Sequence, residues 1–175
     1  MSDMYQEFVN RRSVRVYTDE PIADEDLKKI LSAGLMAPSG KSKFPWHFIV
    51  VKDRAMLEKL SLCRVGVARM LAKAACAIVV VGDPAVTDTL VEDCTIAAAY
   101  MHLEASSLGL GSCYIQGRGR EAENGQTTEE YVRGLLGFPE EYKLQAVLSV
   151  GHVGKTMKPH KTEKLFWNKV HEEKF

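Results

Sequence analysis

Three guanidiniums and three hydroxyls crowd into eight residues near the start of the chain, Arg11-Arg12-Ser13-Val14-Arg15-Val16-Tyr17-Thr18. Arg11, Ser13 and Arg15 occupy alternate positions, so in extended backbone they share one face while Val14 and Val16 take the other. Such a face suits a phosphate, because arginine keeps its charge and presents a planar fork of donors that matches phosphate oxygens. The same residues also suit a plainer role, as cations opposing the dipole at a helix C-terminus. The eight residues do not choose between the two.

Other chemical patterns fail on spacing. Gly40-Lys41-Ser42 resembles the end of a P-loop, but position 35 is Leu and the flanking pattern runs helix to strand, the reverse of what that motif needs. Gly109-Leu110-Gly111 lacks the third glycine of a dinucleotide fingerprint, since position 114 is Tyr. His47, His102, His152, His160 and His171 have no metal-ligand spacing and no pairable nucleophile, so they read as a strand residue, a buried helix residue and tail positions. No metal site and no side-chain catalyst is expected. A protein whose chemistry resides in a bound cofactor needs few catalytic side chains of its own.

The 175 residues suffice for one domain with a sizeable core and would cramp a second. Lys and Arg total 23 and Asp and Glu total 23, so the net charge is zero. That balance argues against binding nucleic acid or membrane surfaces through bulk charge. Cys63, Cys76, Cys94 and Cys113 are widely spread, which reads as reduced thiols rather than disulfides or zinc ligands. With neither a secretory signal nor an apolar run of membrane length, the expected location is the cytoplasm.

The elements that must position the arginines follow from periodicity. A short amphipathic helix over 3–10 delivers the chain to them, and a second helix, capped by Asp24, carries Leu27, Ile30, Leu31 and Leu35 toward Pro38. The loop 38–45 is pinned by a proline at each end and leads into the strand 46–51. Helices are expected near 54–62 and 65–74, and the unbroken apolar run 77–81 reads as a buried central strand. From 91 to 108 comes a helix apolar nearly all round, which belongs inside or at a subunit interface. Gly109 and Gly111 end it. A strand over 112–116 opens onto the glycine-rich loop 117–126, a helix capped by Thr127 or Thr128 runs to 136, and a long strand spans 144–151. The tail 155–175 is basic and aromatic. The class is α+β, with a mixed, mainly antiparallel central sheet flanked by helices.

Taken together, Arg11-Arg12-Ser13-Val14-Arg15-Val16-Tyr17, Ala37-Pro38-Ser39-Gly40, Pro45-Trp46-His47-Phe48, Gly109 to Ile115, Gly137-Phe138-Pro139, Ser149-Val150-Gly151 and Lys158-Pro159-His160-Lys161 strongly resemble the FMN-dependent nitroreductase family. The likeness covers nearly the whole chain and favours the phosphate reading of the arginines. It implies a single nitroreductase-like domain over 1–175, FMN in a cleft between two identical subunits, and a tail over 153–175 that packs on the partner. It implies phosphate and ribityl contacts from Arg11, Arg12, Ser13 and Arg15, and contacts from the other subunit by Pro38, Ser39, Gly40 and Ser42. Gln116, Gly117, Arg118 and Gly119 would lie along the isoalloxazine edge, with Lys158 and Lys161 returning to the phosphate. Where many relatives carry Asn and Gln before Pro-Trp, this chain has Ser42 and Phe44, and Phe44 instead shapes a substrate pocket. Arg118 and Arg120 lean toward an acidic or phosphorylated reductant or acceptor, although solvated loop charge explains them as well.

The implied activity is a ping-pong reduction of small acceptors such as nitroaromatics or quinones by NAD(P)H, with the flavin carrying the chemistry. The alternatives are a non-catalytic FMN-binding or storage module and a specialised relative such as a dehalogenase.

Overall fold

The computed structural model describes residues 3–175. Its α-helices are α1 (Met4–Asn10), α2 (Asp24–Leu35), α3 (Arg54–Leu60), α4 (Leu90–Ser107) and α5 (Thr128–Leu136), and its strands are β1 (Trp46–Val51), β2 (Cys76–Gly82), β3 (Leu110–Gln116) and β4 (Lys143–His152). The strands form one sheet in the order β1-β2-β4-β3, every pair antiparallel. The α+β class with an antiparallel sheet flanked by helices is the one expected. Its parallel component is a lone bridge between Ser13 and Ser112.

Side-chain alternation explains why β2 is apolar throughout. Ala77, Val79 and Val81 join the core on the α3 and α5 side, while Cys76, Ile78 and Val80 join the core under α2 and α4. A strand covered on both faces has no polar side to show. Helix α5 begins with a reciprocal capping box, Thr127 and Glu130 each bonding the other's backbone N–H, so Thr127 is the cap.

Several expectations need correcting. Asp24 is the first residue of α2 and makes no cap; Ala23 precedes it and offers no side-chain acceptor. The helix expected over 65–74 is a short 3-10 turn, Arg69–Lys73; ahead of it Val65 N bonds Glu121 O and the chain turns through a left-handed Gly66, with Val67 N and Ala68 N donating back to Arg64 O. Gly109 does leave α4 in a left-handed conformation (φ 74°), but Gly111 already belongs to β3. Helix α4 is covered only in part. Cys94, Ala97, Ala98, Met101 and Ala105 are buried, whereas Ile96, Ala99 and Tyr100 face outward.

The arginine segment also departs from strict alternation. Val14 and Tyr17 are buried and Val16 is half exposed, a spacing of three, because the chain bridges β3 at Ser13 and then crosses to Val153 at Tyr17. Glycines make room for it. A Cβ at Gly111 would lie 2.7 Å from Val14 Cγ1, and one at Gly154 would lie 2.8 Å from the Tyr17 carbonyl carbon. The Tyr17 hydroxyl, buried and therefore held in its neutral form, donates to Val14 O at 2.8 Å and shares a 2.7 Å bond with Ser149 Oγ. Tyr17→Phe leaves Val14 O and Ser149 Oγ short of a partner, so it should lower stability by about 1–3 kcal/mol. A denaturant midpoint that falls at unchanged m-value is the expected reading.

Candidate functional site

Strand β3 is one edge of the sheet, and the arginine segment and the Gln116–Gly119 loop lie at its two ends. Val14 N donates to Ser112 O at 2.9 Å, which lays the arginine segment along the start of the strand. The loop Gln116–Gly119 lies at its other end, about 14 Å away by strand rise. There Gln116 Nε2 donates to Arg118 O at 3.0 Å, while Gly117 N and Arg118 N both donate to Gln145 O. Gly117 is buried against Leu144, and Arg118, Gly119 and Arg120 are exposed.

At the arginine end the tail folds back over the same segment. Gly154 N donates to Val16 O and His160 N to Val9 O, both at 2.8 Å, and Arg12 NH1 donates to Lys158 O. Arg11, Arg12, Lys158 and Lys161 are thereby brought into one neighbourhood. Arg15 turns back on the Ser13 carbonyl at 3.2 Å. The expected shared face is realised only in part, since Arg11 instead points its NH1 at His102 Nε2 of α4, 2.7 Å away. A cavity of about 620 Å3 opens beside this pair, lined chiefly by Met4, Phe8, Tyr100 and Leu103.

Residues 38–42 lie elsewhere. Asp93, buried at the first turn of α4, accepts from Gly40 N at 2.9 Å and from Thr89 Oγ1 at 3.0 Å. Ser39 Oγ accepts from Phe44 N at 2.9 Å. Asp93 and His102 are nine residues apart on α4, about 14 Å along its axis, so within one protomer this loop and the arginines hold opposite ends of the helix. Lys41, Ser42 and Phe44 all have φ near 50°. Three non-glycine residues in the left-handed region within four positions store backbone strain, which concentrates in loops whose shape serves a ligand.

His102 is the buried helix residue expected from sequence, but no role was read for it, and Asp93 was not singled out. A polar residue inside an apolar helix must find a partner, and His102 amid Ala97, Ala98, Met101 and Ala105 was such a signal. Arg64 was missed as well: its charge reaches Cys113, as do those of Arg15 and Arg11, each drawing the thiol down against the larger upward push of burial. Arg64 and Arg120 share a cleft of about 450 Å3 with Gly119. Among the described residues no carboxylate lies within ion-pair distance of Arg11, Arg12, Arg15, Arg64, Arg118 or Arg120, although acids equal bases in number.

The nitroreductase family model matches residues 9–67 and 57–152, which together take in both ends of β3 and the whole sheet. The chain belongs to the nitroreductase family. A protein of Archaeoglobus fulgidus, provisionally named an NADH dehydrogenase/NAD(P)H nitroreductase, is 40% identical over 156 residues, 87% of this chain and 86% of its own. The solved structure of an FMN-dependent nitroreductase from Clostridium difficile superposes with a TM-score of 0.92 at 40% identity, covering 97% of this chain and 98% of that one. Rat iodotyrosine deiodinase 1 is 38% identical over only 58 residues, 33% of this chain and 20% of its own. The family supplies the general class of oxidoreductase. No helix among the described residues is long and apolar enough to cross a membrane.

Two outcomes follow from the α4 anchors. Asp93→Ala deprives Gly40 N and Thr89 Oγ1 of their acceptor, and should lower stability by about 1–3 kcal/mol while speeding amide exchange at Gly40. His102 is held neutral, its folded pKa pushed down to about 4 by burial and secondarily by Arg11. The unfolded chain therefore takes up a proton near pH 6.5 that the folded chain refuses until about pH 4. Stability falls with pH across that window and levels off below it. Comparing the pH dependence of unfolding in wild type and His102→Gln isolates this contribution, and the variant should show the shallower acid slope.

Proposed function

We propose that this protein is an FMN-dependent NAD(P)H oxidoreductase that reduces small acceptors in a ping-pong cycle, acting as a homodimer with FMN in the cleft between subunits. The observation that carries the reading is the set of arginines without carboxylate partners along one sheet edge, in a chain of zero net charge. A phosphate is the group that such an unbalanced donor set fits. Arg11, Arg12, Ser13 and Arg15 would hold it, with Lys158 and Lys161 arriving from the tail. Gly119, exposed and at φ 65°, would let the backbone of the Gln116–Gly119 loop approach the flat ring system closely.

FMN, when bound, accepts hydride from NAD(P)H and passes it to the acceptor. The chain's own residues bind and orient. The backbone of 116–119 would line the ring edge, and Arg15 and Arg64 would supply a positive field that stabilises electron-rich character at the ring. Holding the cofactor rigidly recovers entropy that a free encounter would lose. Phe44, half exposed and set edge-on to Trp46 with ring centres 5.7 Å apart, is placed to shape the acceptor pocket.

The separation of residues 38–42 from the arginines supports a shared cleft, in which Pro38, Ser39, Gly40 and Ser42 of one subunit serve the arginines of the other. The outward face of α4 and the exposed Met4, Phe8, Phe166 and Trp167 give such a pairing its apolar surface. The whole chain acts as one domain, with 153–175 partly docked on the partner. The local likeness to the deiodinase supports a second reading, reductive dehalogenation of a halogenated phenol.

The purified protein should be yellow, release FMN on denaturation, bleach anaerobically with NADH or NADPH and recolour with a quinone or nitroaromatic. Arg11→Ala and Arg15→Ala should each weaken FMN binding by about tenfold or more. Colourless protein that takes up no FMN ends the proposal. Tight FMN without bleaching leaves a storage module, and turnover of halophenols alone selects the second reading. Sedimentation as a monomer with FMN bound removes the shared cleft.

A further inference from the structure

His102 is 9% exposed, and both of its ring nitrogens are engaged. A guanidinium offers only donors, so Nε2, facing Arg11 NH1 at 2.7 Å, must be the unprotonated nitrogen. Nδ1 then carries the proton and donates to Ser112 Oγ. The tautomer follows from the partners on either side. Ser112 thus acts twice. Its carbonyl receives Val14 N and fixes the arginine segment by main chain, and its hydroxyl orients the ring that holds the first arginine of that segment.

We propose that His102 is a positioning residue for the phosphate site: as a neutral acceptor it locks the Arg11 guanidinium so that the remaining donors face the phosphate of the cofactor. The inference rests on the FMN reading above. Arg11 has five N–H donors, and His102 occupies one of them. His160 Nε2 approaches Arg11 NH2 at 3.4 Å and the Arg11 carbonyl at 3.1 Å, so it donates to the carbonyl and leaves the guanidinium largely free. An arginine on a flexible stem loses rotamer freedom when it clasps a ligand, and one already held loses less.

The surroundings keep the ring an acceptor. Arg11 faces it from the amino-terminal segment with Arg12 beside, Glu7 of α1 and Glu104 of α4 line the neighbouring cavity, Ser112 and Cys113 come from β3, and Lys158 and His160 come from the tail. Burial and the Arg11 charge both oppose protonation of the ring. A charged imidazolium would lose the bond to Arg11 and repel it.

FMN and riboflavin differ by the phosphate alone, so their affinity ratio reads what Arg11 does. Wild type should favour FMN strongly, and Arg11→Ala should cut the preference by about tenfold or more. His102→Ala should cut it by about fivefold to tenfold with riboflavin affinity unchanged. His102→Gln, whose carbonyl can accept from Arg11 while its amide donates to Ser112, should restore most of the loss. In the Arg11→Ala background, His102→Ala should cost nothing more. Ser112→Ala keeps the ring but frees one side of it, and should give a smaller loss of the same kind; it serves where His102→Ala does not fold. Unchanged FMN preference in both His102→Ala and Ser112→Ala, equal weakening of the two flavins, or full additivity with Arg11→Ala overturns the inference alone. A wild type indifferent to the phosphate, or an Arg11→Ala protein that keeps the preference, overturns the phosphate reading itself.

Discussion

The arginine segment is held against the sheet by a close approach that glycine alone permits. Val14 sits over Gly111 and Tyr17 backs onto Gly151 and Gly154, with the Tyr17 hydroxyl bonded across to β4. Side chains at those glycines would lift the segment from the edge of β3, and with it the bond from Val14 N to Ser112 O. The two buried residues anchor a strip that carries Arg11, Arg12 and Arg15. Burial energy from the apolar pair thus holds charge in a place where charge alone would not stay.

Helix α4 then works as a spacer. Near its first turn Asp93 receives the Gly40 amide and sets the strained loop before Trp46; more than two turns later His102 receives Arg11. Both are polar residues on the otherwise apolar buried face of the helix, and each is satisfied by a group from a distant part of the chain. The helix therefore carries two separate assignments at its two ends while its middle fills the core with Ala97, Ala98 and Met101. Its outer face leaves Ile96 exposed and Tyr100 open beside Phe8 on one cavity.

Electrostatics and redox chemistry are arranged in keeping with this. Glu129 pairs with Arg133 and Glu123 with Arg69, while the arginines along β3 are left without carboxylates. Zero net charge thus coexists with a local excess. The cysteines take no part: burial pushes Cys63, Cys76 and Cys94 up to about 12, far from the thiolate range that nucleophiles need.

The amino-acid order by itself determined the elements and the family. Period-3.6 and period-2 apolar patterns located α2, α4, β1, β2 and β4, the run 77–81 declared itself buried on both faces, and the ordered motifs from Arg11 to Lys161 carried the resemblance. Those are local properties, set by backbone geometry and side-chain spacing. The tertiary structure alone decided that Val16 faces out where alternation put it in, that 65–74 is a turn, and that Arg11 reaches His102 and leaves Arg15 to Ser13. Partners 91 residues apart in sequence meet only because β3 returns antiparallel to α4 and lays Ser112 beside the helix. No periodicity encodes such a meeting, since the contact depends on where two elements cross and not on what either one is.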